Sequence, residues 1–169
     1  MAFREIDPKN IPDNIFKLIG DDWMLLSAAC GKDFNTMTAS WATAGVLWNK
    51  PVVQAFVRPQ RHTYGFMEKS PYFTCSFFNE EYRDALTFCG RNSGRDTDKM
   101  AATGLTPVLS EDSRVWFEEA RLVLVCRKLY AQNIDPLDFY DDSIDASVYA
   151  KRDYHRAYFG EIVRCLVQE

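Results

Sequence analysis

A run of small polar residues, 35–45, lies between two apolar runs at 23–30 and 52–57. A strand buried in a core rarely carries an amide, three threonines and a serine in so short a length, as this run does. The hydroxyls, the amide and the backbone N–H groups could instead face a polar ligand, which predicts the lip of a pocket. Because threonine is also a good strand former, a Thr-rich edge strand is an equal alternative.

A second cluster combines Arg58, Arg61, His62 and Thr63, where an apolar run ends and a short helix is predicted to begin. A helix N-terminus offers free backbone N–H groups and a favourable dipole, and an arginine adds a forked pair of donors. Two guanidinium groups and a threonine hydroxyl at such a place suit a phosphate group. A solvated surface turn is the alternative, since arginine is common on loops.

The third cluster, residues 93–99, alternates charged residues with Ser93, Gly94 and Thr97. Lys99 could reach an anion, and Gly94 permits a close approach of the backbone. The alternating charges could equally form surface ion pairs, which contribute little to stability. The spacing matches neither a P-loop nor the glycine motif of dinucleotide-binding folds.

No side chain is predicted to be catalytic. His155 lies among charged and aromatic residues, and a structural or anion-binding role is favoured over a proton shuttle. There is no Gly-x-Ser-x-Gly motif, so a serine-type triad is not predicted.

The five cysteines are odd in number and lack C-x-x-C spacing, which predicts free thiols in a reducing cytoplasm. With two histidines and no paired spacing, no metal site is predicted.

Length and composition predict one globular domain over residues 1–169. The formal net charge of −4 argues against a nucleic-acid-binding surface, which usually needs a clustered basic excess. No apolar run approaches the ~18 residues of a membrane helix, and the N-terminus lacks the pattern of a signal peptide. We therefore expect a cytoplasmic protein with no membrane or nucleic-acid partner.

The order of the segments predicts a mainly β, antiparallel fold. The first 20 residues are predicted to be a lead-in, and residues 135–145 an exposed irregular segment. Six or seven strands without βαβ alternation indicate an antiparallel barrel, which removes exposed edges by closure. Besides the run at 35–45, the predicted strands are 23–29, 52–57, 72–78, a long one ending near 133, and 161–167, with short helices at 63–69, at 80–89 ended by Gly90, and from Lys99 to Gly104.

The order and spacing of these pieces resemble the flavin reductase-like, FMN-binding split-barrel family, and most closely its flavoredoxin branch. The resemblance covers nearly the whole chain from about Trp23 to Val163. It rests on NTMTASW at 35–41 with Gly45, KPVV at 50–53, VRPQRHTY at 57–64, FTCSFF at 73–78, CG at 89–90, SGRD at 93–96 with DK at 98–99, GLTP at 104–107, DYHR at 153–156, and Tyr158 with GEI at 160–162.

This resemblance implies a six-stranded antiparallel Greek-key split β-barrel with short helices inserted. It also implies non-covalently bound FMN and a homodimer with the flavin near the interface. The ring is expected along residues 35–41, and the phosphate and ribityl chain near the second and third clusters. The cofactor-binding residues implied are Asn35, Met37, Thr38, Ala39, Ser40, Trp41, Arg58, Arg61, Thr63, Tyr64, Ser93, Lys99 and His155.

Two positions depart from the family pattern. His62 stands where the family often has an aromatic residue after its arginine, and Ala39 stands where a bulkier residue often precedes the Ser-Trp pair. Neither change removes a predicted ligand, but both could alter the choice of electron donor or the redox potential.

The function implied by the resemblance is that of an oxidoreductase. It would pass electrons from NAD(P)H or a small redox protein through bound FMN to an acceptor. The alternative is an FMN-carrying electron-transfer module without NAD(P)H reductase activity. A third interpretation is a split barrel that resembles pyridoxamine-phosphate oxidase or handles haem. The sequence names neither the donor nor the acceptor, since it carries no nicotinamide-binding motif.

Overall fold

The computed structural model describes residues 2–169, which contain ten β-strands and five short α-helices. Single turns of 3₁₀-helix occur at Pro8–Asn10, Glu80–Tyr82 and Pro136–Asp138, and a π-turn at Leu18–Asp22. The strands are β1 Phe3–Ile6, β2 Met24–Cys30, β3 Asp33–Ala39, β4 Ala42–Leu47, β5 Lys50–Val57, β6 Tyr72–Phe77, β7 Pro107–Leu109, β8 Val115–Phe117, β9 Leu122–Asn133 and β10 Arg156–Gln168. The helices are α1 Ile15–Lys17, α2 His62–Lys69, α3 Arg83–Arg91, α4 Lys99–Thr103 and α5 Asp142–Val148.

The main sheet has the order β3-β2-β6-β9-β10-β5-β4, with β1 added to β10, and its pairs are antiparallel. Strands β3 and β4 lie at opposite ends of this order, yet only Ser40 and Trp41 join them. Consecutive Cα atoms are about 3.8 Å apart, so Ala39 and Ala42 are at most about 11 Å apart. The sheet must therefore curl until its two ends meet at Ser40–Trp41, which we call the closing corner. This arrangement confirms the predicted split barrel.

The barrel wall is buried on both faces along β2. One face packs inside the barrel, where Met24 and Leu26 join Leu124. The other face packs under α3 and β8, where Leu25 joins Leu86 and Phe117. Burial on both faces explains why residues 24–29 are almost all apolar instead of alternating with polar ones.

Strand β10 packs closely on its neighbours at Gly160. The pairing of β10 with β9 shifts register between Phe159 and Gly160. A Cβ atom on Gly160 would lie 2.6 Å from ring atoms of Phe73 and 2.7 Å from the Cβ of Cys126. Only glycine fits this contact between β10 and the interior of the barrel.

Several expectations about the elements were wrong in detail. The strand count of six or seven was too low, because β1 and β7 carried no strong signal and because the run at 35–45 spans parts of two strands, β3 and β4. The long strand ending near 133 is interrupted after β8, and β9 begins at Leu122. Helix α3 continues through Gly90, whose role is close packing: a Cβ there would lie 3.2 Å from the Cβ of Thr38. The segment 135–145, expected to be irregular, includes the first turn of α5, whose N-terminus the Asp141 side chain caps by accepting from the Ser143 amide.

The five cysteines are free thiols, as predicted, and all but Cys30 are buried. Within residues 2–169, no cluster of three or more His, Cys, Asp or Glu side chains could hold a metal ion. None of the helices in this part of the chain has the length and apolar character needed to cross a membrane.

Candidate functional site

Two adjoining cavities, of about 160 and 170 Å³, form a continuous groove at the closing corner because they share Met37 and Arg61. The groove collects all but one of the residues that the sequence predicted. The exception is Tyr64, which packs against the barrel core. The first cavity is lined by Met37, Thr38, Ala39, Ser40, Trp41, Phe56, Arg58, Arg61 and His155. The second is lined by Asn35, Met37, Gln60, Arg61, His62, Thr63, Gly90, Arg91, Asn92, Ser93, Gly94 and Lys99.

Arg61 lies in the middle of the groove and is a partly buried cation without a protein partner in the described residues, while Arg91 at the edge of the second cavity is exposed. Its backbone occupies the N-cap position of α2, where no side chain caps the exposed N–H groups of the first turn. Within residues 2–169 its guanidinium makes no hydrogen bond or ion pair with the protein. Burial lowers its pKa, and Arg61 in turn lowers the pKa of Lys99. The groove therefore holds uncompensated positive charge beside a helix N-terminus, which suits an anion.

Lys99 has a different environment from the one its cluster predicted. It is 6% exposed, and its ammonium donates to the carbonyl oxygens of Thr36 at 2.6 Å and Cys89 at 2.9 Å. Burial, and to a lesser degree Arg61, lowers its pKa. Two of its three donors are thus occupied, and Lys99 ties α4 to β3 while its charge adds to the field in the groove.

Asn35, Thr63 and Gly94 fix the second cavity. The Asn35 side-chain amide donates to the Thr63 hydroxyl at 2.7 Å, which joins β3 to the first turn of α2. Thr63 is fully buried, so its hydroxyl organises the groove more than it faces a ligand. A methyl group on Gly94 would overlap with the Asn35 side-chain oxygen, and only glycine lets the loop before α4 lie across Asn35.

The free edge of β3 offers polar groups toward the closing corner. Strand β3 pairs with β2 alone, so the backbone groups of its other edge bond no strand, although the Thr36 carbonyl oxygen accepts from Lys99. The Thr38 hydroxyl donates to the carbonyl oxygen of Leu86, so it has no proton left for a ligand. Ser40 and Trp41, which line the first cavity, keep their side-chain donors unused within the described part of the chain. The expected edge strand and pocket lip are both present, on the same residues.

Arg58 is bound by other residues of the protein, so its guanidinium is not free to bind a phosphate as the sequence suggested. Its guanidinium forms an ion pair with Asp153 at 2.6 Å and donates to the Val148 carbonyl oxygen at 3.1 Å. It also lies 5.1 Å from the centre of the Tyr149 ring. These contacts fasten the segment after α5 to the end of β5, and of the two arginines in the second cluster they leave Arg61 free to bind an anion.

His155 closes the first cavity as a buried, neutral ring. It is 8% exposed, and its Nδ1 lies 2.7 Å from the Tyr149 hydroxyl. The Trp41 ring centre is 5.6 Å from that of His155. Burial and the nearby Arg58 charge lower its pKa from 6.5 to about 4, although Asp153 acts in the opposite direction. The ring is therefore uncharged at neutral pH.

The lowered pKa of His155 predicts a loss of stability in acid. The folded state resists protonation of this ring. The neutral ring therefore makes its full contribution to the free energy of unfolding above about pH 6.5, and that contribution is lost as the pH falls toward 4. At pH 5 the loss is about 2 kcal/mol. We expect the free energy of unfolding in urea to fall less between pH 7 and 5 in His155→Gln than in the unmodified protein. An equal fall in both proteins would contradict the prediction.

Sequence reasoning missed several residues of the groove. Phe56, Gln60 and Asn92 lie beside predicted residues, and their neighbours were the available signal. Tyr149, whose hydroxyl bonds the His155 ring, lies four residues after the segment expected to be irregular, and nothing in its sequence pointed to the groove.

Comparison with known proteins supports the same fold. The family model described as a flavin reductase like domain matches residues 20–169. Flavoredoxin from Methanosarcina acetivorans is 21% identical with a TM-score of 0.67, over 88% of this chain and 69% of that one. An FMN-binding protein from Thermus thermophilus with bound p-hydroxybenzaldehyde is 20% identical with a TM-score of 0.68, over 98% and 82%. Nitrilotriacetate monooxygenase component B from Bacillus cereus is 20% identical with a TM-score of 0.66, over 100% and 83%. No curated protein matches.

Proposed function

Since the chain belongs to the flavin reductase-like family, we propose that it is an FMN-binding oxidoreductase whose cofactor lies in the groove. The observation that carries this proposal is the unpaired Arg61 guanidinium at the uncapped N-terminus of α2. A half-buried cation without a protein partner is costly unless a ligand supplies the counter-charge. The phosphate of FMN would supply it.

The rest of the groove fits the same ligand. Ser93 lies beside Arg61 in the second cavity and offers a hydroxyl for the phosphate. In the first cavity, the free edge of β3 and the Ser40 hydroxyl would meet the polar edge of a flavin ring, while Trp41 and Phe56 would cover its apolar part. Bound FMN would supply the electron-transfer chemistry, and the protein would bind it, orient it and exclude water.

The electron donor in this proposal is NAD(P)H or a small redox protein. An FMN-carrying module without NAD(P)H reductase activity is the second candidate, and the open groove is compatible with either.

A homodimer with the flavin near the interface is part of the same proposal. Exposed apolar side chains support this dimer. Trp41 at the closing corner, and Val46 and Trp48 near the β4–β5 turn, are each at least half exposed.

The function is tested by purification followed by rapid mixing. We expect a yellow protein that releases FMN on denaturation, and a colourless protein that fails to take up added FMN would overturn the proposal. Anaerobic stopped-flow mixing with NADH, NADPH and a reduced ferredoxin then separates the two candidates. Fast bleaching by a nicotinamide indicates a reductase, and bleaching by the ferredoxin alone indicates a carrier.

Gly94→Ala is expected to weaken FMN binding by about tenfold. The added methyl group overlaps with Asn35, whose amide is held by Thr63, so the loop before α4 must move away from the groove. Fluorescence titration of FMN measures the affinity. Gly20→Ala is the matched control, because no atom lies within 4 Å of a Cβ at Gly20. An unchanged affinity in Gly94→Ala would show that this loop does not contribute to the FMN site.

A further inference from the structure

The bond between Tyr149 and His155 determines which ring nitrogen carries the proton. Both residues are buried, and in residues 2–169 the Tyr149 hydroxyl bonds no residue other than His155, whose Nδ1 lies 2.7 Å away and whose backbone N–H also bonds the hydroxyl oxygen. If Nδ1 were the donor, the hydroxyl hydrogen would have no acceptor in a site away from water. Donation from the hydroxyl to Nδ1 satisfies both groups, and it leaves the proton of the neutral ring on Nε2.

The other nitrogen, Nε2, reaches the groove. His155 lines the first cavity, and Nε2 makes no hydrogen bond to the described part of the protein. The buried side-chain atoms that lack a partner there are Ser76 Oγ, Arg114 Nε and Trp116 Nε1, so Nε2 is not sealed in the interior. The ring centres of Trp41 and Phe56, which also line this cavity, lie 5.6 and 6.5 Å from that of the imidazole. The ring thus presents a donor at the groove surface.

The surroundings keep the ring uncharged. The charged and titratable groups that face it are Arg58, Asp153 and Tyr149. Asp153 would favour a charged imidazole, but its carboxylate is already bound by Arg58 and by Gln60, whose side-chain amide donates at 2.7 Å. A neutral N–H donor can bond a neutral acceptor without adding a third charge beside Arg58.

Tyr149 is itself held from several directions. It is the residue that ends α5, and its ring packs 4.8 Å from that of Tyr154 and 6.0 Å from that of Phe139. The Arg58 guanidinium covers one face of the ring. The segment that carries α5 therefore holds the Tyr149 hydroxyl in a fixed position next to His155 Nδ1.

We propose that Tyr149 is a positioning residue that holds His155 as the Nε2–H tautomer, so that Nε2–H donates to an acceptor atom of the flavin ring. The acceptor half of this proposal rests on the proposed function, because it requires FMN in the groove. The tautomer half rests on the contacts of Tyr149 and His155 alone.

Histidine-selective ¹⁵N NMR tests the tautomer directly, since the chain has two histidines and His62→Gln assigns them. We expect the His155 signals to show a protonated Nε2 and an unprotonated Nδ1 from pH 8 to 5. Tyr149→Phe should convert them to a mixture of tautomers, while the control Tyr154→Phe, whose hydroxyl bonds Asp145, should leave them unchanged. Protonation at Nδ1 in the unmodified protein, or no change in Tyr149→Phe, would overturn the proposal.

The same samples test the acceptor. Added FMN should shift the Nε2 signal of the unmodified protein, and Tyr149→Phe should bind FMN about fivefold more weakly, as expected for one weakened hydrogen bond. Binding of FMN without any change at His155 would refute the donor role while the proposed function stands. A failure to bind FMN at all would refute the proposed function and the acceptor together, and the tautomer measurement would remain valid.

Discussion

Arg61→Ala is expected to weaken FMN binding by about 30- to 100-fold. Hydrogen bonds between charged groups contribute about 1.5–3 kcal/mol, and Arg61 is a partly buried cation of the groove that has no protein partner to release. The dissociation constant is measured by quenching of flavin fluorescence. Arg127→Ala is the matched control, because Arg127 pairs with Glu161 at 2.6 Å and lines neither cavity of the groove.

The same variant should not destabilise the protein without FMN. Arg61 loses water on burial and repels Lys99, so removing it relieves an unfavourable charge. We expect the melting temperature of the FMN-free variant to equal or exceed that of the unmodified protein. A lower melting temperature combined with unchanged FMN affinity would mean that Arg61 supports the fold and does not bind the phosphate.

Gly160→Ala is expected to lower the free energy of unfolding by about 2–3 kcal/mol. The added methyl group would lie 2.6 Å from atoms of the Phe73 ring and 2.7 Å from the Cys126 Cβ, closer than side-chain atoms can pack. Strand β10 would have to separate from β9 or move the Phe73 ring. Urea denaturation followed by circular dichroism measures the effect.

The control for this substitution is Gly65→Ala in α2. No atom lies within 4 Å of a Cβ at Gly65, so the change only removes the conformational cost of a helical glycine. We expect it to stabilise the protein by about 0.5–1 kcal/mol. Equal effects of the two substitutions would show that packing at Gly160 is looser than its contacts indicate.

The location of the groove could be predicted because each of its clusters has a local signal. Small polar residues at 35–45, paired arginines before a helix and a glycine-containing charged loop are recognisable without a structure. Helix α4 was also predictable, since the Asp98 carboxylate caps it and Gly104 ends it with a positive φ of 72°. These signals depend on residues close together in the chain.

Which residues of each cluster are bound by the protein, and which stay free, could not be predicted, because this depends on partners far along the chain. Arg58 and Arg61 look alike in sequence, and it is Asp153 that engages the first and leaves the second free. Lys99 is likewise engaged by the carbonyl of Thr36, a group that every residue possesses. Strand β1 has little pattern of its own and forms because the end of β10 offers it an edge.

The position of β10 in the sheet has a consequence for how the groove forms during synthesis. This strand pairs with β9, β5 and β1, so it joins β3-β2-β6-β9 to β5-β4. Without it the sheet falls into two pieces, one carrying β3 and the other carrying β4, β5 and Arg58. During synthesis these two walls of the first cavity would stay unpaired until β10 had left the ribosome, even though Ser40 and Trp41 link β3 to β4 early. Cofactor uptake would then follow completion of the barrel, because such long-range pairing is slow and comes late in folding.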